Sequence, residues 1–318
     1  MPLDPQLAAM LKMMNEQPQA AGLDELRKGL EANAVAIPGR QVQLRDVRTI
    51  ELQGPNGPIS ARLYKPCGNS VAPLTVYYHG GGFVAGSLDT HDGVCREMAA
   101  KAKTAVLSVG YRLAPEYPFP IGLDDAYHAL AWAAENGGAL EVDASRLAVA
   151  GDSAGATIAL VSAIRARDER KPALSAQLIF YPCTDLRDTP YLSRVENAVG
   201  YGLTETARQR LMSLYTGDDT ARHDPRASPL LESNLKSLPP TLMMTCQYDP
   251  LRDEGMAMAE ALYTAGADIT QQTANGMIHG FINYTSVCAA AAAYYDQALL
   301  WLARQLHSSP SVDDRPPL

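Results

Sequence analysis

Ser153 sits in Gly151-Asp-Ser-Ala-Gly155, between a short apolar run, Leu147 to Ala150, and a second that begins at Ala154. The first run reads as a buried strand. The second reads as a helix, with Ile158, Val161 and Ile164 at helical spacing. A chain that turns from strand to helix over three residues must bend sharply, and only small neighbours leave room for the bend. The apex serine is then held in a strained conformation with its hydroxyl exposed. The N–H of Ala154 opens a helix, where the dipole favours negative charge. Together these make a candidate nucleophile and half of a site for an oxyanion. Gly-x-Ser-x-Gly alone also describes a glycine-rich turn with a capping serine, so its partners must decide.

His79-Gly80-Gly81-Gly82 follows the strand-like run Leu74 to Tyr78. Glycine-rich loops also cradle phosphates, but this spacing fits neither Gly-x-Gly-x-x-Gly nor a P-loop. The better reading is the other half of the oxyanion site, with the N–H groups of Gly81 and Gly82 aimed at the same point as that of Ala154. Each such donor is worth roughly 3 kcal/mol in a transition state. Asp249 lies just past the strand predicted at Thr241–Cys246, where a carboxylate can reach the active edge. Asp253 is the rival, and it is better explained as an N-cap of the next helix. His279, in Gly276-Met-Ile-His-Gly-Phe281, falls in a loop before the last helix. Ser153, Asp249 and His279 thus occur in an order that threads a nucleophile, an orienting acid and a base. The other histidines fit less well. His79 precedes the serine and braces the glycine loop, His91 and His128 lie on predicted helices, His223 is in an insertion and His307 near the tail.

The elements around these residues alternate. Amphipathic helices are predicted over 3–16 and 22–36, punctuated by Pro18 and by Pro38-Gly39. An antiparallel hairpin over 41–65 follows, turning at Gly54-Pro-Asn-Gly57. Strands at Leu74–Tyr78, Ala105–Val109, Leu147–Ala150, Leu178–Tyr181, Thr241–Cys246 and Ile269–Thr273 then alternate with helices. Those helices are Thr90–Lys103, Ile121–Glu135, the one from Ala154, Glu254–Ala265 and Val287–Leu306. Such a rhythm implies a mostly parallel sheet covered on both faces, with reactive groups at the carboxyl ends of its strands. The stretch between Tyr181 and Thr241 breaks the rhythm and carries one helix, Glu205–Tyr215. With the N-terminal helices it is a candidate cap. The division is therefore cap helices over 1–40, core over 41–185, a cap insertion over 186–228, core again over 229–307 and a disordered tail over 308–318. Leu7, Met10, Leu11, Met14, Leu211 and Met212 are the expected apolar walls beneath the cap.

Composition narrows the partners. At 318 residues, with 47% hydrophobic and 19% charged, the chain can bury one large core and reads as globular. A net charge of −8 gives no phosphate-tracking surface, so nucleic acid is not an expected partner. The five cysteines are scattered, with no C-x-x-C pair, which points to reduced thiols in the cytoplasm rather than disulfides or zinc. No apolar run approaches the length of a membrane span.

With these residues in place, the chain resembles the hormone-sensitive lipase family of α/β-hydrolases, and most of all its bacterial carboxylesterase branch. His79–Gly82 matches the family's glycine motif, and Gly151–Gly155 matches its nucleophile elbow in the Asp-containing form. Tyr111-Arg-Leu-Ala-Pro-Glu116, Asp249-Pro-Leu-Arg-Asp253 and His279-Gly-Phe281 match in the same order. The resemblance runs from Leu3 to Leu306. Ala156 departs from it, standing where many members have a third glycine, and adds only a methyl group at the helix start. The resemblance implies an α/β-hydrolase fold with a mostly parallel central sheet, helices on both faces and a helical cap. It implies no metal and no cofactor, and for Glu116 a structural role bracing the region around the nucleophile. It implies a serine carboxylesterase with the triad Ser153, His279 and Asp249 and the oxyanion hole Gly81, Gly82 and Ala154. A small-molecule ester of short to medium acyl chain is the expected substrate, since no lipid-surface helix stands out. Similar esterases are often dimers, which leaves a homodimer open. Amidases, deacetylases and lactonases use the same triad and remain the alternative. A non-catalytic receptor of this fold would have lost the triad histidine, which is present here.

Overall fold

The computed structural model describes residues 1–15, 22–55, 57–68 and 71–308. Pro18, Asn56 of the hairpin turn and the tail after Ser308 lie outside them. The chain opens with helices α1 (Pro5–Asn15) and α2 (Leu23–Ala36), then strands β1 (Leu44–Gly54), β2 (Gly57–Pro66) and β3 (Pro73–Tyr78). Next come α3 (Asp92–Ala102), β4 (Ala105–Gly110), α4 (Ile121–Glu135), α5 (Gly137–Leu140), β5 (Asp143–Asp152), α6 (Ala154–Glu169) and β6 (Ala176–Phe180). The insertion holds α7 (Ser193–Glu196), α8 (Glu205–Thr216) and α9 (Asp219–Arg222). The chain then closes with β7 (Thr241–Tyr248), α10 (Arg252–Thr264), β8 (Ile269–Ile278) and α11 (Ala289–His307).

The strands form one 8-stranded sheet in the order β1-β2-β4-β3-β5-β6-β7-β8. The hairpin β1–β2 and the β2–β4 pair are antiparallel, and every later pair is parallel. The patterning explains the difference. In β2, Ile59, Ala61 and Leu63 point to one face and are buried, as a strand near the sheet edge requires. In β3 and β6 every residue is buried, as a strand covered on both faces requires. One face carries α4, α6 and α10 on Ile158, Met243 and Met258, and the other carries α3 and α11 on Met98, Tyr295 and Leu299. Helix α6 is buried continuously from Ala154 to Ile164. Its run of alanines lets it lie close to the sheet, directly behind Ser153. Among the described residues no helix is long and apolar enough to cross a membrane.

The sequence pattern places the expected elements, and the structure lengthens some of them. Strand β8 continues through Asn275 and Gly276, turn formers that read as a loop, because the strand bulges there. Its pairing with β7 steps from Cys246↔Ala274 to Tyr248↔Ile278. The bulge frees the carbonyl of Gly276, which accepts the N–H of Asp4 at 3.0 Å and docks the start of α1. Strand β3 ends at the glycine loop, β5 at Ser153, β7 at Asp249 and β8 at His279. All four reactive stretches therefore meet at the carboxyl edge of the sheet, under the helical cap.

Candidate active site

Ser153 has φ 54° and ψ −122°, a conformation that costs a non-glycine residue about 1–3 kcal/mol. Its surroundings fix it there. Its N–H donates to Phe180 O on β6 at 2.9 Å, and its carbonyl accepts from Thr157 N at 3.2 Å. Gly155 is required by close approach, since a Cβ there would lie 2.0 Å from Tyr78 O and 2.5 Å from His79 O. The helix start is thus pressed against the end of β3, and Ala154 is brought beside the glycine loop. That loop turns at Gly81, whose φ of 124° excludes a side chain and whose carbonyl accepts from Val84 N and Ala85 N. Among the described residues the N–H groups of Gly81 and Gly82 have no protein acceptor. Gly81, Gly82 and Ala154 all line one cavity with Ser153 and His279.

His279 bridges the other two. Its Nδ1 lies 2.7 Å from Asp249 Oδ2 and its Nε2 2.9 Å from Ser153 Oγ. With Nδ1–H donating to the carboxylate, Nε2 is the bare nitrogen that accepts from the serine hydroxyl. Asp249 is fully buried, and its second oxygen accepts from Leu251 N at 2.8 Å. Asn197 of the insertion donates to the Asp249 carbonyl at 3.2 Å. The His279 side chain is 13% exposed, toward the cavity, and its ring stands 4.8 Å from that of Tyr181. Burial pulls its pKa down. The charge of Asp249 and the hydrogen bond to it outweigh burial, Asp152 and Glu254 add to them, and the net direction is upward from 6.5.

The structure adds a group to which the sequence reading gave no role. Asp152, buried beside the nucleophile, accepts on one oxygen from Tyr77 OH at 2.6 Å and Gly80 N at 2.9 Å, and His91 Nε2 lies 3.2 Å from the same oxygen. Gly80 begins the glycine loop, so this carboxylate ties that loop to the elbow. Burial raises its pKa, but His91, Tyr77 and Gly80 overcome burial and hold it below the ordinary value. The signal was local, an acid next to a candidate nucleophile. Its partners come from β3, the loop after it and the residue that precedes α3, and are assembled only by the sheet order.

The remaining expectations divide. His79 hydrogen-bonds Gly80 O at 2.8 Å and stacks on Tyr111, and burial, with His91 nearby, lowers its pKa to about 4. His128, His223 and His307 each bond a backbone carbonyl away from the serine. Asp253 is not an N-cap: α10 starts at Arg252, and the Asp253 carboxylate accepts from Ser193 N at 2.7 Å, tying the insertion to the core. Glu116 acts at one remove, through Arg27. It is 52% exposed and takes two hydrogen bonds of 2.7 Å from Arg27. Those bonds hold its pKa at about 2. Arg27 also donates to Val84 O and Ala114 O, so the pair fastens α2 over the glycine loop. Of the expected walls, Leu11, Leu211 and Met212 line a cavity of about 1280 Å³. Leu7 and Met10 pack instead against the α3–α11 core, and the Met14 side chain lies outside the described residues. Periodicity marks the buried face of a helix, not whether core or cavity lies beneath it. Leu23 and Leu26 of α2 complete the cavity wall.

A strand-to-helix elbow bearing the serine, a carboxylate and a histidine on later strand ends, and helices closed over them define an α/β hydrolase with a cap. Comparison with known proteins agrees. The sequence model of the alpha/beta hydrolase fold matches residues 75–283. The chain is 40% identical to Esterase LipI of Mycobacterium tuberculosis over 94% of each chain. It is 35% identical to the ethyl acetate hydrolase of Pseudomonas putida over 96% of this chain and 99% of the relative. The solved structure of a hyperthermophilic esterase from the archaeon Pyrobaculum calidifontis superposes with a TM-score of 0.92 at 38% identity, over 95% of this chain and 98% of the other. The chain belongs to the α/β-hydrolase family, in its hormone-sensitive-lipase-like, bacterial carboxylesterase branch.

Proposed function

We propose that Ser153, His279 and Asp249 are the catalytic triad of this serine carboxylesterase, with the N–H groups of Gly81, Gly82 and Ala154 as its oxyanion hole. The observation that carries the reading is the unbroken chain from Asp249 Oδ2 through His279 to Ser153 Oγ, at 2.7 and 2.9 Å, on the floor of the capped cavity. His279 Nε2 takes the hydroxyl proton as Ser153 Oγ attacks the ester carbonyl. The carbonyl oxygen becomes an anion facing the three N–H groups, each worth roughly 3 kcal/mol there. Asp249 holds the imidazole in the productive tautomer and stabilises its cation. The imidazolium then protonates the departing alcohol, and water, activated by the same histidine, releases the acid.

The acyl group is of short to medium length. Leu211 of α8 lies directly on the glycine loop, 2.7 Å from where a Cβ on Gly82 would be, and so bounds the space beside the oxyanion hole. The ethyl acetate hydrolase among the relatives points the same way. A series of p-nitrophenyl esters from acetate to palmitate tests this. The highest kcat/KM is expected between butyrate and octanoate, with a steep fall by palmitate. A maximum at palmitate would replace the reading with a lipase, and cleavage of the matching anilides but of no ester would replace it with an amidase.

The raised pKa of His279 sets the pH response. Only the neutral imidazole can accept the serine proton, so activity is lost as pH falls through the folded-state pKa. Because that value lies above 6.5, the acidic limb of kcat/KM is expected to reach half its plateau above pH 6.5. A pH–rate profile from acid to mild alkali measures it, and a flat profile would remove His279 as the base. A cytoplasmic location belongs to the same reading, supported by five free thiols of which four are buried. So does the absence of a nucleic-acid partner, on the net charge of −8, and assembly as a homodimer, on the family likeness.

A further inference from the structure

We infer that Arg208 is a specificity residue that donates to an oxygen on the acyl part of the substrate, so that preferred esters carry a keto or hydroxyl group a short way beyond the scissile carbonyl. The inference rests on the esterase reading above. The cavity around Ser153 spans both faces of the sheet edge. Ile278 and Ile282, which flank His279, belong to the α3–α11 core, whereas Cys183, Met212 and Tyr215 belong to the α4–α6 core. The departing oxygen must face His279 Nε2 to be protonated. The acyl chain is therefore directed the other way, beneath α8.

Thr206, Arg208 and Arg210 are the polar groups of α8 that border the cavity, and of these Arg208 alone is buried. Leu211 covers Gly82, Met212 meets Cys183 at 3.7 Å, and one turn earlier on the same helix is Arg208. One turn is roughly 5 Å, the length of a short acyl chain. Arg208 is 3% exposed, yet it borders the cavity. Glu205 accepts from its Nε at 2.8 Å and its Nη2 at 2.6 Å, which occupies one edge of the guanidinium and balances its charge. Among the described residues Nη1 has no protein acceptor. Nor is it sealed, because the buried arginine nitrogens without a partner are those of Arg194 and Arg222. A donor left in a largely desolvated wall calls for an acceptor. With the charge already balanced by Glu205, a neutral oxygen suits it better than a carboxylate.

The test compares p-nitrophenyl levulinate, which has a keto group in its acyl chain, with p-nitrophenyl pentanoate of the same length. The wild type is expected to favour levulinate by about ten- to hundredfold in kcat/KM, the range of one hydrogen bond from a charged donor. In Arg208→Met the preference falls to near unity. Glu205→Gln combined with Arg208→Met gives the same result without stranding a carboxylate. The ratio is what is read, so a loss common to both esters through a loosened cap cancels. Should the variants fail to fold, the wild-type preference alone decides. Equal rates on the two esters, or a preference untouched by Arg208→Met, would overturn the inference. So would a keto preference found only on the alcohol side, with the acetates of pentanol and its keto analogue. No cleavage of either ester would sink the esterase reading and this one with it, whereas equal cleavage of both sinks only the role of Arg208.

Discussion

Ser153→Ala is expected to lower kcat on a short-chain ester by roughly a millionfold, to the residual rate that binding and the oxyanion hole sustain alone. The side chain of Ser153 makes a single hydrogen bond, to His279, and the backbone bonds that hold the elbow remain with alanine in place. Alanine tolerates φ 54° as poorly as serine does, so the strain is unchanged and the melting temperature should move little. The variant should also fail to react with a fluorophosphonate that labels the wild type. A folded Ser153→Ala protein with near-normal turnover would mean that another residue carries the acyl group, and Thr90, whose hydroxyl lies 2.8 Å from His91 Nδ1 in the same cavity, would be tested next.

Much of this site could be read from the chain because its signals are short. The elbow is written in five residues, since the bend itself demands Gly151 and Gly155. The glycine loop is written in four, since its backbone must approach the substrate without side chains. Asp249 and His279 were legible for a different reason: a parallel sheet delivers the residues after its strands to one edge, whatever their separation in sequence. What stayed hidden depends on pairs made across the sheet or the cap. Asp152 gathers Tyr77, Gly80 and His91, from β3, the loop after it and the start of α3. Asp253 looked like a cap because its position suited one, but the helix starts a residue before it and the carboxylate turns to Ser193. Glu116 was expected to brace the region around the nucleophile, and its partner is Arg27 of α2, which also bonds Val84 O beside the glycine loop. In each case the residue type was visible and the partner was not. Partners are chosen by packing, and packing leaves no periodicity in the sequence.

Asp249→Asn is expected to lower kcat by about ten-thousandfold with little change in fold. The asparagine oxygen can still accept from Leu251 N, and the side chain keeps its volume in a fully buried site. The other half of the amide now presents N–H where a carboxylate oxygen stood, 2.7 Å from His279 Nδ1. Two donors cannot share that contact, so the imidazole moves its proton to Nε2, the nitrogen that must take the proton of Ser153. The loss of charge acts in the same direction. Asp249 raises the pKa of His279 against burial, and without it the imidazolium formed during attack is less stable. Asp253→Asn is the control, because it sits four residues away in the same motif and faces Ser193 rather than His279. It should cost less than tenfold in kcat and act instead through the attachment of the insertion, as a lowered melting temperature. If the two variants lost activity equally, the motif would be a structural hinge beneath the cap and His279 would need another orienting acid. Because Asp152 is the other carboxylate raising the pKa of His279 from beside the nucleophile, the same measurement would then be made on Asp152→Asn.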